Sequence, residues 1–363
     1  SFPPPLLPLA RYLVIRLSAI GDVAMLIQLL YSVARANEQH DFVLLTQPFI
    51  TELLLDPPDN VEAMAIDIRN EEHSLLGLAR YARRLRLEHF DAVLDLHDVL
   101  RTKLLRSYLR LSGIPTKHLA KPRRERRRLV ANRPGKDLTP LPPMWQLYRK
   151  VFLEAGLSVP EVIPPIEIHP SLRESFERLH PELLVGRGSK VRLGVAPFAS
   201  TRAKTYSPAK MKEAVRQLAE DGRFEILFFG GRGREAETLR EWVKELPHTQ
   251  SVAGTLDFSE ELILMATLDV VVSMDSANMH LASLVGVRVL SVWCCTHPAA
   301  GFLGIGQRWE DCLQPEGLDR RPCSIFGDNK HCHSGDFQCS ETMPPERIVR
   351  PLLELADQRA LSR

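Results

Sequence analysis

No apolar run in this chain approaches the roughly 20 residues that a membrane-spanning helix needs, which excludes a helical membrane span. Six cysteines in 363 residues are too few for a disulfide-held scaffold, which excludes the small secreted class. The opening SFPPPLLPLA has neither the charged flank nor the small-residue cleavage site of a secretory signal, and it does not begin with Met. The expectation is a cytoplasmic protein. No G-x-G-x-x-G follows either leading strand, which argues against a nicotinamide dehydrogenase. Aromatic residues are not interleaved with the basic run, so there is no stacking platform for nucleic acid and none is expected as a partner. Internal repeats and long low-complexity segments are also missing.

What is present describes an ordinary globular chain, 44% hydrophobic and 25% charged, and its length favours two domains over one. The net charge of +2 conceals one strongly basic run, KPRRERRR, at Lys121 to Arg128. Two blocks alternate β-branched runs with helical patterns, the grammar of parallel sheets wrapped by helices. Strands are expected at 12–17, 42–46, 61–66 and 92–96, then at 191–197, 225–230, 270–274 and 287–293. A basic, proline-rich stretch (121–143), a helix (145–155) and a proline-rich linker (159–170) lie between them. The expected division is residues 1–165, residues 166–344, and a terminal helix at 345–363 able to pack back on the first domain.

Ligands of open parallel sheets bind at the carboxyl ends of strands, so residues just after each strand carry the functional argument. After the first strand comes SAIGD, where Gly21 suits a tight turn and Asp22 suits a helix cap. In the second block, Asp275, Ser276 and Ala277 follow a buried strand and start a helix, with His280 one turn on. A helix N-terminus flanked by small residues favours phosphate. The alternative for Asp275 is a cap, and for His280 a buried hydrogen-bonded histidine. The loop after 191–197 carries Ser200, Thr201, Arg202 and Lys204, and a lysine there can meet a diphosphate as a point charge. Glu235, after Gly230-Gly231, can accept from ribose hydroxyls or stand exposed on an ordinary turn. Arg101, Lys103 and Arg106 follow the strand at 92–96. With the basic run they can meet phosphates of a lipid-linked saccharide or an anionic membrane surface; a solvated charge run is the alternative. Cys323, Cys332 and Cys339 cluster near His331 and His333, but their spacing contains no CxxC pair, and reduced cysteines in a compact loop are the simpler reading.

These pieces in this order resemble the ADP-heptose:lipopolysaccharide heptosyltransferases, glycosyltransferase family 9. The likeness is carried by RLSAIGD (Arg16–Asp22), LDLHDVLRTKLL (Leu94–Leu105), PFASTRAKTYS (Pro197–Ser207), FGGRGREAE (Phe229–Glu237), the stretch from Val252 to Val287 containing DSANMHLAS, and the Cys-rich tail. It implies an α/β GT-B fold, two Rossmann-like domains facing a central cleft. It also implies inverting, metal-independent transfer from a nucleotide sugar, with no cofactor beyond that co-substrate, expected to be ADP-heptose. The resemblance places the catalytic Asp on Asp22, the phosphate-binding Lys on Lys204, and donor contacts on Ser200, Thr201, Glu235, Asp275, Ser276, Ala277 and His280. The acceptor falls to Gly21, Arg101 and Lys103. Phe198 and Ala277 stand where Gly is usual, and Asn278 where Pro is common. No DxD-type acidic pair lies near the donor residues. An epimerase on the same fold, or a degenerate nucleotide-sugar-binding protein, would share the diphosphate site.

Overall fold

The computed structural model describes residues 9–70, 74–184, 188, 190–328, 332 and 334–361, so His331 and His333 lie outside the described residues. The chain forms two compact units, residues 1–121 with 144–166, and residues 122–143 with 167–363. The first holds a five-stranded parallel sheet of β1 (Arg11–Ile15), β2 (Asp41–Thr46), β3 (Val61–Ala65), β4 (Ala92–Asp95) and β5 (Thr116–His118), ordered β3-β2-β1-β4-β5. The second holds β6 (Val191–Ala196), β7 (Phe224–Phe228), β8 (Thr249–Ser251), β9 (Val270–Met274), β10 (Arg288–Val292) and β11 (Cys312–Leu313), ordered β11-β10-β9-β6-β7-β8 and also parallel.

The helices are α1 (Ile20–Arg35), α2 (Leu75–Arg86), α3 (Leu100–Leu111), α4 (Arg123–Leu129), α5 (Met144–Glu154), α6 (Pro170–Leu179), α7 (Pro208–Asp221), α8 (Arg234–Glu245), α9 (Phe258–Met265), α10 (Ala277–Leu284), α11 (Gln338–Glu341) and α12 (Glu346–Leu361). Several begin or end where local chemistry requires it. Asp257 accepts from the Glu260 N–H at 2.8 Å while the Glu260 carboxylate accepts from the Asp257 N–H at 3.1 Å, a reciprocal box that starts α9. Gly222 closes α7 at φ 79°, a left-handed conformation that costs other residues energy.

In both units the central strands are apolar on both faces, as helices covering a parallel sheet demand. β1 enters the core through Leu13, Val14 and Ile15, with Val14 in register with Leu44 and Leu94. All six residues of β6 are buried, among them Arg192. Its guanidinium meets Glu225 at 3.1 Å and donates to the Leu183 carbonyl at 2.8 Å.

The structure differs from the sequence reading in short pieces. β5, β8 and β11 are two or three residues long, too short to show a period. The basic run folds as α4 and belongs with the second unit. Part of the proline-rich linker is fixed to α1, because Asn37 exchanges two hydrogen bonds with Ser158 (2.8 and 3.0 Å) and Gln28 donates to the Pro164 carbonyl at 3.1 Å. The terminal helix α12, which the sequence left able to reach the first domain, packs on α7 through Ile348, Val349, Leu352 and Ala356 in the second core. Gly21 lies inside the first turn of α1 instead of in the turn before it.

Removing one member of a buried ion pair strands the other charge. Arg192→Leu should therefore lose about 3–5 kcal/mol of stability, and the double variant Arg192→Leu/Glu225→Leu should recover most of it. Urea denaturation of the three proteins checks this; a single variant no weaker than the double would show that the pair does not matter.

Candidate functional site

The chemistry-bearing residues gather at the carboxyl ends of the two sheets, and each unit holds its own set. In the first, β1 runs into Arg16 and the Ser18–Ala19 peptide, which is cis, before α1 begins. Asp22 is the third residue of α1. Its contact with the Ala19 N–H is long, 3.5 Å, so capping is its weaker bond. The stronger one is to Arg16, whose Nη2 lies 2.5 Å from the Asp22 carboxylate, and the Tyr148 hydroxyl donates to Asp22 Oδ1 at 3.3 Å.

Arg16 is itself buried, donates to the Leu96 carbonyl at 2.8 Å and sits over the Tyr148 ring at 5.6 Å. Burial pushes its pKa down, but the charges of Asp22, Tyr148 and Asp95 outweigh that and the net direction is up, so it stays a cation. His97, at the end of β4, accepts from the Leu17 N–H at 3.4 Å. Burial first, then the charges of Arg16 and Lys121, lower its pKa to about 3, which leaves a neutral imidazole beside Asp22. This edge is thus one carboxylate held by a buried cation, a phenol and α5, which packs on α1.

The expected acceptor residues differ in freedom. Arg106 is tied to Asp95 at 2.8 Å and Asp98 at 3.4 Å, and Lys103 reaches Asp98 at 3.7 Å. Arg101 is half-buried in the first turn of α3. In the second unit, Arg124, Arg127, Arg128 and Arg133 line one concavity of about 890 Å³. The helix that carries three of them is pinned by buried Arg126, which lies over the rings of Phe302 (5.0 Å) and Phe326 (5.7 Å).

The second unit's sheet edge brings together the residues singled out in its loops. Lys204 Nζ lies 3.0 Å from Asp275 Oδ2, and that same oxygen accepts from the Thr296 hydroxyl at 2.8 Å. Ser276 is the cap residue of α10, yet its hydroxyl turns to Ser273 Oγ at 3.2 Å and makes no cap bond to the helix. The first N–H groups of α10, beginning at Ala277, are therefore not satisfied by a capping side chain. His280 is buried one turn further on. The other loop cation, Arg202, is engaged elsewhere: it binds Glu341 at 2.8 Å and the Thr205 carbonyl at 2.9 Å. Ser200 is exposed, and the Thr201 hydroxyl donates to the Gly327 carbonyl. Glu235 is half-buried and accepts from the Gly231 N–H at 2.7 Å, which folds the double-glycine turn back on itself. Phe198 leans towards Trp242, ring centres 6.3 Å apart.

Residues 78–310, more than half of the chain, match glycosyltransferase family 9 (heptosyltransferase). The chain belongs to this family. No curated protein matches it in sequence. Solved structures do. A glycosyl transferase family 9 protein from Veillonella parvula DSM 2008 is 16% identical with a TM-score of 0.76, over 97% of this chain and 98% of that one. Escherichia coli ADP-heptose lps heptosyltransferase II is 18% identical with a TM-score of 0.69, over 96% and 99%. E. coli heptosyltransferase WaaC with ADP-2-deoxy-2-fluoro heptose is 16% identical with a TM-score of 0.61, over 87% and 96%. At such identity the likeness is one of fold, and the fold is GT-B, two parallel-sheet α/β domains.

In this family 9 glycosyltransferase, five further residues join the edges without having been singled out for a role: Arg16, His97, Tyr148, Thr296 and Gly327. His97 had a signal, since it directly follows the strand expected at 92–96, whereas Arg16 stood inside the strand expected at 12–17 and reaches the edge because β1 ends at Ile15. Tyr148 and Gly327 are distant in sequence and reach their places through packing. Gly327, at φ 74°, lies where the Lys204 Cγ and Cδ would meet any added Cβ. Gly327→Ala should displace Lys204 and lower turnover by roughly 10²-fold. Gly317, at φ 71° with nothing near its Cβ position, supplies the control: Gly317→Ala should carry similar backbone strain and keep its turnover. Equal activity of the two variants would mean that Gly327 does not set the lysine's position.

Proposed function

We propose that this protein transfers a heptose from ADP-heptose to a hydroxyl of a lipopolysaccharide-core or related saccharide acceptor, with inversion and without a metal. The observation that carries the reading is Lys204, held 3.0 Å from Asp275 beside the start of α10, which has no side-chain cap. A diphosphate leaving group gains negative charge as the anomeric bond breaks. An ammonium and a helix N-terminus already in place stabilise that charge more in the transition state than in the ground state. The same groups would do the work asked of a divalent cation elsewhere. Ser276, Ala277 and His280 then face the donor from α10, Ser200 and Thr201 from the lysine's loop, and Glu235 offers its second carboxylate oxygen to a ribose.

In this reading the acceptor oxygen attacks the anomeric carbon, the bond from that carbon to the diphosphate oxygen breaks, and Asp22 takes the hydroxyl proton. A carboxylate, with an ordinary pKa near 3.9, is a weak base for an alcohol. The anomeric carbon must therefore develop positive charge first, so that the hydroxyl acidifies as it bonds. Family membership favours this over epimerisation, and the support of Asp22 by Arg16 and Tyr148 favours it over a binding-only relative. Gly21, Arg101 and Lys103 lie on the acceptor side of the reading. The arginine-lined concavity suits phosphates of a lipid-linked acceptor or the anionic face of a membrane. Among the described residues no helix is long and apolar enough to cross one.

A thermal-shift titration with ADP, UDP, GDP and CMP should show stabilisation by ADP, about 2.7 kcal/mol at 100 times its Kd. Preference for another nucleotide would overturn the donor. Asp22→Ala should lower kcat by roughly 10²–10⁴-fold while ADP affinity holds; Lys204→Ala should weaken both, and wild-type kinetics in that variant would remove the phosphate role. Flotation with anionic liposomes should fall in an Arg124→Ser/Arg128→Ser variant, and flotation independent of lipid charge would remove the membrane contact.

A further inference from the structure

In the second unit lies a cavity of about 400 Å³ whose wall includes Cys323, Cys332, Cys339 and Arg321. All six cysteines of the chain are free thiols. Two of them are neighbours: Cys323 Sγ lies 3.9 Å from the Cys295 carbonyl oxygen, and the Cys323 N–H donates to that same carbonyl at 3.1 Å. Such a bond leaves at most about 7 Å between the two Cα atoms, the outer limit of what a disulfide spans.

The charge around this pair is unusual. Arg321 is buried, and it donates only to carbonyls: Trp293 at 2.7 Å, Thr296 at 2.8 Å, Pro315 at 3.4 Å, and Cys294. The Lys136 ammonium is likewise spent on the carbonyls of Arg320 (2.7 Å) and Pro322 (2.6 Å). Among the described residues, the titratable groups that act on these two cations from close by include cysteines and no carboxylate. Cys323 responds accordingly. A hydrogen bond from the Cys295 side chain, helped by Lys136 and Arg321 against the opposing effect of burial, holds its thiol below the ordinary cysteine range, while that same bond and burial push Cys295 up. Cys323 opens on the cavity, whereas Cys295 is buried and needs no access from solvent.

We propose that Cys295 and Cys323 form a reversible dithiol–disulfide pair, a modification site whose co-reactant is a low-molecular-weight disulfide. The Cys323 thiolate attacks one sulfur of the co-reactant, whose S–S bond breaks and releases one thiolate that takes up a proton. Cys295 then loses its proton and attacks Cys323 Sγ in the mixed disulfide, releasing the second thiol. Two protein thiols are oxidised and one small disulfide is reduced to two thiols.

The bond would join two segments that meet at Lys204. Cys295 donates its N–H to the Ala203 carbonyl at 3.2 Å and precedes Thr296, which holds Asp275. Cys323 begins the loop whose Gly327 backs the lysine stem and accepts from Thr201. Resting on the reading of Lys204 as the diphosphate-binding cation, oxidation would lock the loop on the donor residues and slow turnover, reversibly.

The test treats the full-length, reduced protein with glutathione disulfide and maps its peptides without reduction. Expected is a cross-linked Cys295–Cys323 peptide, an intact mass lower by two hydrogens, full reversal by dithiothreitol, loss of the link in Cys323→Ser, and its persistence in Cys332→Ser. Limited alkylation of the untreated protein should label Cys323 before Cys295, a readout that does not depend on how the variants fold. No cross-link, a link through another cysteine, or a bound metal that shields these thiols in elemental analysis would overturn the pair. A clean cross-link with unchanged turnover would overturn only its coupling to the donor residues, and failure of ADP binding in the reduced protein would count against the donor reading while leaving the thiol chemistry standing.

Discussion

A strand flanked by neighbours on both sides and by helices on both faces has nowhere to put a charge along its length, and the central strands of both sheets are of this kind. Ionised groups are forced to the strand ends or into pairs. The functional residues of each unit therefore collect at the carboxyl edge without any one of them being adjacent in sequence to its partners: Arg16 and His97 at the ends of β1 and β4, Lys204, Asp275 and Thr296 beyond β6, β9 and β10. The edge also supplies unpaired backbone N–H groups at helix starts, so charge and hydrogen-bond donors arrive together.

Three buried arginines show how differently one constraint can be met. Arg192, in mid-strand, is matched by Glu225 and by carbonyl and hydroxyl acceptors, and its role is confined to the fold. Arg16 is matched by Asp22, at the first unit's sheet edge, so the pair that neutralises a buried cation also fixes the position of that carboxylate. Arg321 is matched by carbonyl oxygens alone, which satisfy its hydrogen bonds and leave its charge uncompensated. In a low-dielectric interior that charge acts on whatever can ionise nearby, here His297 and several thiols, Cys323 among them.

The division of information between sequence and packing follows from range. β6, β7, β9 and β10 were legible because a strand buried on both faces must be a continuous apolar run, and α9 because its D-x-x-E box is local. Asp22, Lys204 and Asp275 were legible as positions, since each follows a strand, but their partners were not. The turn carrying Arg202 and Lys204 shows the limit: two cations two residues apart look alike in sequence. One is spent on Glu341 and Thr205, near the end of the chain, while the other meets Asp275. The short edge strands have too few residues to show a period, and the docking of α12 on α7 depends on contacts from more than a hundred residues away, which no local period encodes.

The arrangement at Asp275 constrains what that residue can do. Its Oδ2 is already shared by the Lys204 ammonium and the Thr296 hydroxyl, and a carboxylate in direct contact with a diphosphate would repel it by several kcal/mol at short range and low dielectric. Asp275 is better read as the group that aims Lys204 than as a phosphate contact. The lysine's four-carbon stem would otherwise leave its ammonium free to wander, with a large loss of side-chain entropy on binding. Backing the stem with Gly327 and anchoring the head on Asp275 removes much of that loss before any ligand arrives. This sheet edge is thus organised around one cation held at both ends, and a substitution at either end acts through the position of the charge while leaving the charge itself intact.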